Sequence, residues 1–113
     1  MAGQQKVFLR KCTIAIGAVQ SDTIDLNGLV LCGIETPTTV AGANLTFKST
    51  RDRGGLMDVY DQDGSAVTVV VTASKLITIT PTTFPGARTI ALVSDVAASG
   101  AAEIYWLLLR AVE

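Results

Sequence analysis

No histidine occurs in the 113 residues of this chain, which removes the side chain that titrates nearest neutrality and is the commonest general base and metal ligand. Ser-His-Asp and Cys-His nucleophile arrangements go with it. What remains with chemical potential is a group of carboxylates, two cysteines, a pair of arginines and a few aromatic rings. Asp58, Asp61 and Asp63 lie close together in Asp58-Val59-Tyr60-Asp61-Gln62-Asp63-Gly64. Two such acids could hydrolyse a glycoside if they faced each other across a cleft with separated pKa values. They could also chelate calcium, but an EF-hand loop ends in a bidentate Glu at its twelfth position, and counted from Asp61 that position is Thr72. The plainer reading is a solvated hairpin turn whose Asp side chains stabilise the backbone. Cys12 and Cys32 are the only cysteines, too few for zinc without histidine and no disulfide framework. Buried free thiols are expected. No Gly-rich loop follows a strand and opens a helix, so nucleotide binding has no support. The expectation is a chain that is not an enzyme, with no catalytic residues, no metal and no cofactor.

Binding chemistry is better represented. Carbohydrate sites on β-sandwiches use an exposed aromatic platform bordered by polar groups, and Tyr60, Tyr105 and Trp106 are the candidates. Trp106 sits in the strongly apolar run Ile104-Tyr105-Trp106-Leu107-Leu108-Leu109, where a core position is expected. Tyr60, beside the acidic turn, is the candidate glycan platform. Arg51 and Arg53 bracket Asp52 ahead of Gly54-Gly55. They read either as a bidentate clamp on a neighbouring subunit's carboxylates or as a solvated loop tip. Gln4, Gln5 and Lys6 belong to a polar N-terminal segment, residues 1–5 reading as a flexible docking arm ahead of the first strand.

The composition narrows the partners. Formal net charge is -1 and no basic stripe is present, so neither nucleic acid nor an anionic membrane is expected as a partner. The longest apolar run falls far short of the roughly 20 residues that span a bilayer. Arg10 and Lys11 interrupt the apolar segment near the N-terminus, which argues against a signal-peptide core and for synthesis in a cytosol. Charged residues make up 17% against about 25% in globular chains, leaving little surface charge to keep other proteins away. A single core of this length stands alone only marginally, so association, with other copies of itself among others, is the simpler expectation.

The elements that would position these residues are strands. Residues 6–16 are rich in β-branched and bulky side chains without a four-residue apolar return. Residues 23–26 and 29–34 flank Asn27-Gly28, a pair that suits the positive φ values of a type I′ hairpin, with a bulge as the alternative. Residues 44–50 alternate, Leu45 and Phe47 on one face, Thr46 and Lys48 on the other. Residues 56–60 run into the Asp61 to Gly64 turn, which predicts a further hairpin. Residues 66–72 and 75–80, dense in Val, Ile and Thr, read as strands, and 87–94 and 102–112 supply the last two. About nine short strands with turns every 8 to 12 residues predict an all-β single domain over residues 1–113, an antiparallel sandwich, jelly-roll-like for this strand count.

Four segments then share an order with a known group: Asp25-Leu26-Asn27-Gly28-Leu29 through Gly33-Ile34, Leu45-Thr46-Phe47, Asp58 to Gly64, and Phe84-Pro85-Gly86-Ala87-Arg88. This order resembles a family of small tailed-phage and prophage virion structural proteins, over about residues 21–110. There an L-x-G opening, an L-T-F strand, an acidic D-x-Y-D-x-x-G hairpin and an F-x-G-A-R lead into the next strand recur across most of the chain. The resemblance implies a jelly-roll-like sandwich carried on the virion as a capsid decoration or head-spike protein. Its partners would be other copies of itself and the major capsid protein or another virion protein. A tail accessory protein and a module that adheres to a host glycan are the alternatives. Arg51 to Gly55 stands where the family pattern has an S-x-D-G loop, so no contact through that loop is carried over.

Overall fold

The computed structural model describes residues 7–50, 55–80 and 88–111. Among these there is no helix, and nine strands form two antiparallel sheets packed face to face. The first sheet holds β1 (Val7–Ile14), β9 (Glu103–Ala111), β3 (Leu29–Glu35) and β7 (Leu76–Thr78), in that spatial order. The second holds β2 (Ile24–Asp25), β8 (Thr89–Ser94), β4 (Asn44–Thr50) and β5 (Met57–Asp58), with β6 (Val69–Val70) also on β4. Apart from β4, β5 and β6, which stay in the second sheet, each strand is followed by one in the opposite sheet. A four-stranded and a five-stranded sheet packed in this way are the β-sandwich that the sequence predicts, and with β5 and β6 sharing one edge of β4 the strand order is that of a jelly roll.

Period-two alternation supplies the core. Cys12 and Ile14 from β1, Leu31 and Ile34 from β3, and Tyr105, Leu107 and Leu109 from β9 point inward. They meet Leu45, Phe47, Ile90 and Leu92 from the second sheet, all of them buried. Cys32 is the extra residue of a bulge between Leu31 and Gly33 opposite β9, which restores the inward phase at Ile34.

Three local readings of the sequence are corrected. Asn27 and Gly28 do take positive φ, 53° and 80°, and the Leu29 N–H donates to the Leu26 carbonyl at 2.9 Å. The strands they join, however, are in different sheets, so the turn is a corner and not a hairpin. β3 gains more by pairing along the long apolar β9, from Leu29↔Ala111 to Glu35↔Trp106, than it could against the two-residue β2. Residues 66–72 and 75–80 are reduced to β6 and β7, which belong to opposite sheets. Thr36 holds the chain between them: its Oγ1 accepts from the Lys75 N–H at 2.8 Å and lies 2.6 Å from the Thr72 carbonyl. Trp106, expected in the core, faces outward, and Tyr105 is the fully buried ring. An unbroken apolar run hides the phase of a strand, and here the phase is set by Tyr105, whose hydroxyl finds a buried partner in Glu103 at 2.8 Å.

One end of the sandwich is closed by two carboxylates. Glu103, itself buried, receives the Tyr105 hydroxyl on Oε1 and the Ala41 N–H on Oε2 at 2.8 Å. Asp95 receives the N–H groups of Ala43 and Asn44 on Oδ1 and the Asn44 amide on Oδ2. Gly42 lies between these anchors, and a Cβ there would run into Asp95 Oδ1 and Ser94 Oγ. Gly42→Ala is therefore expected to cost about 1–3 kcal/mol through overpacking, visible as a thermal midpoint lower by roughly 5–15 °C. The hydrogen bonds that Asp95 accepts, chiefly from Asn44, hold its carboxyl below its ordinary value of 3.8. A lowered folded-state pKa stabilises above the unfolded value, and the gain is lost as pH falls through the folded value. Urea midpoints compared between about pH 5 and pH 2.5 should fall less steeply in Asp95→Asn than in the parent.

Candidate functional site

The chain departs from the regular sandwich at the edge beside β4. Asp58 and Met57 pair with Lys48 and Ser49, and the Val59 N–H donates to the Phe47 carbonyl at 3.0 Å. The chain then leaves the sheet and returns, so that Val69 and Val70 pair with Leu45 and Asn44 further along the same strand. Residues 60–68 are thus a hairpin finger inserted into one edge strand. Its root is the Val67 N–H bond to the Val59 carbonyl and the Tyr60↔Ala66 bridge. Its tip is the hairpin that the acidic turn predicts. Asp61 exchanges backbone bonds with Ser65 and Gly64, and its Oδ1 accepts the N–H groups of Asp63 at 2.9 Å and Ser65 at 3.0 Å. Gly64 supplies the positive φ of 85°.

The three acids do not converge. Asp61 turns one oxygen into its own turn, and Asp58 pairs with Lys48 at 3.2 Å on the outer face of the second sheet. No group of three metal-ligating side chains forms among the described residues. Tyr60 is 60% exposed at the base of the finger. Both cysteines are free, but only Cys12 is buried as expected; Cys32, in the bulge, is half-buried, and the two stand on β1 and β3, two strands apart across β9. Burial pushes the Cys12 thiol up to about 11, so at neutral pH it carries very little of the reactive thiolate. Burial and the bond to Glu103 likewise push the Tyr105 phenol upward. A surface groove of about 300 Å³ beside Pro37, Ser99 and Ala102 includes Glu103 in its wall, but both carboxylate oxygens there are already bonded. Gln4, Gln5, Lys6, Arg51 and Arg53 lie outside the described residues.

A second surface is absent from the sequence reading. The two sheets present different outer faces. That of the second is rich in polar groups: Thr46, Lys48, Thr50, Thr89, Asp25 and Asp58. The first carries Val7 and Leu9 from β1, Ile104, Trp106 and Leu108 from β9, and Leu76 from β7. Leu9 is 55% exposed, Leu76 60%, Ile104 39% and Trp106 37%. Register sets them in rows: Leu9↔Leu108↔Gly33, and Lys11↔Trp106↔Glu35↔Leu76. Leu108 leans over Gly33, where a Cβ would meet its side chain at 3.5 Å. The signal that could have found this face is β9 itself, apolar at odd and even positions alike, which marks a strand covered on both sides. Scans against protein families and searches of curated proteins and of solved structures return no match.

Asp61 is a turn-forming group. Asp61→Ala is expected to lose about 1 kcal/mol with its two side-chain bonds, read by urea unfolding. Millimolar calcium is expected to leave the parent's unfolding midpoint unchanged; a rise with calcium would reassign the acids to a metal.

Proposed function

We propose that this chain is a structural protein of a phage virion, a capsid decoration or head-spike subunit that associates with its own copies and with the outer coat shell. The observation that carries the reading is the outer face of the first sheet, where apolar side chains of β1, β7 and β9 stand together in solvent. Exposed apolar surface of this kind marks a site of association. Three further features support it. The segment order resembles that of small virion proteins, charged residues are sparse at 17%, and the carboxylates of Glu103, Asp95 and Asp61 are engaged by backbone and tyrosine partners. The work such a subunit does is burial: apolar and strand-edge surface removed from water between neighbouring subunits, repeated around a symmetric shell.

The second reading is glycan adhesion, favoured by the exposure of Tyr60 on a projecting finger between Asp58 and Asp61. The two are compatible, since the finger and the apolar face lie on opposite sheets.

Sedimentation of the purified chain, followed by mixing with undecorated phage shells, tests the main reading. Self-association and saturable co-sedimentation with shells are expected. A monomer that never binds shells would sink it. For the second reading, binding on a glycan array should fall in Tyr60→Ala; an array without hits ends that reading.

A further inference from the structure

We infer that the outer face of the first sheet is a two-fold interface between copies of this chain, with Trp106 at its centre and Lys11 of each copy opposite Glu35 of the other. The inference deepens the proposed structural role by naming the first partner as a second copy.

The argument starts from one row of the sheet. Lys11, Trp106 and Glu35 are direct cross-strand neighbours on β1, β9 and β3, and all three are exposed. A positive group, a large ring and a negative group therefore stand side by side, with strands about 4.8 Å apart. When two such faces meet about a two-fold axis running along β9, β9 lies over its copy and β1 lies over β3. Lys11 then faces the second copy's Glu35, and Glu35 faces the second copy's Lys11. A two-fold axis running across the strands would instead place Lys11 on Lys11 and Glu35 on Glu35. Charge complementarity selects the first arrangement.

Sheet geometry is compatible with this solution. Faces pack about 10 Å apart with their strands crossed by roughly 30°. One strand away from the axis that angle displaces facing residues by only about 2.5 Å, within the reach of Lys and Glu side chains. Arg110, four residues along β9 from Trp106, is carried about 7 Å from its own copy by the same rotation, which relieves the like-charge contact. β1, β9 and β3 each offer about seven residues to the face and β7 only three, close to 400 Å² per copy, so a pair covers roughly 800 Å², the size of a weak, reversible contact.

The test uses the whole purified chain in sedimentation velocity from about 1 to 200 µM, without shells. The parent is expected to dimerise. Trp106→Ala should weaken the dimer about 30-fold or more, as expected of a central aromatic anchor. Lys11→Glu and Glu35→Lys should each weaken it by about tenfold or more, because each sets two like-charge pairs across the axis. Mixing the two single variants should restore association to within about threefold of the parent, since in the mixed dimer both contacts are again of opposite sign. Circular dichroism melts of each variant separate loss of contact from loss of fold. A parent that stays monomeric, or single variants that dimerise like the parent, or a mixture without rescue, would overturn the inference. So would a dimer indifferent to Trp106→Ala but abolished by Leu9→Pro in a still folded chain, which would place the contact on the β1 edge. Shell binding, measured separately, judges the virion role: a dimer that ignores shells leaves this interface standing and removes that role.

Discussion

Strand β9 is hydrogen-bonded along both of its edges, to β1 from Glu103 to Arg110 and to β3 from Trp106 to Ala111, and the rest of the molecule is arranged around that double pairing. Its inward residues, Tyr105, Leu107 and Leu109, are fully buried and fix which side of the first sheet is core. Once that phase is set, a one-residue slip would drive Trp106 and Leu108 inward and bring Glu103 out of reach of Ala41. The bond from Tyr105 to Glu103 locks the choice. Leaving either of these buried groups without its partner would cost on the order of 1–3 kcal/mol, a large share of the stability of a domain this size.

From β9 the remaining constraints follow outward. β3 must run beside it, so the Asn27-Gly28 turn becomes a corner between sheets. β1 must run on its other side, and its far edge is bonded at Thr13, whose N–H and carbonyl are met by Asp22. β8 and β4 then form the centre of the second sheet, joined from Leu45↔Ser94 to Thr50↔Thr89 and reinforced by the Thr50 and Thr89 hydroxyls at 2.6 Å. The closed end, with Asp95, Glu103 and Gly42, ties the connections of the two sheets together through side chains and not through strands.

How much of this is legible in the sequence depends on the range of the forces involved. Alternation at Leu45 and Phe47, the Asp61 to Gly64 turn and the all-β class are local properties, and they appear where the residues imply. The partner of each strand is not local. Residues 66–72 and 75–80 carry strong β-branched propensity, yet they divide between opposite sheets because β4 and β3 are where free edges exist. Trp106 and Tyr105 are adjacent and alike in hydrophobicity, and only the carboxylate of Glu103, two residues away, distinguishes the buried ring from the exposed one. The acidic cluster was readable as a turn because the Asx geometry of Asp61 involves residues within four positions of it. Of the apolar outer face only the unbroken apolar run of β9 is a local signal; its assembly with β1 and β7, which are distant in sequence, is not.

The hairpin finger has a further consequence for how the chain tolerates change. β5 and β6 pair with the same strand, β4, on either side of the point where the chain leaves and returns, so together they do the work of one edge strand. Length added or removed between Gln62 and Gly64 alters neither that register nor any buried residue. The tip is a natural point of insertion, where a foreign loop could be carried while the jelly roll beneath keeps its pairing.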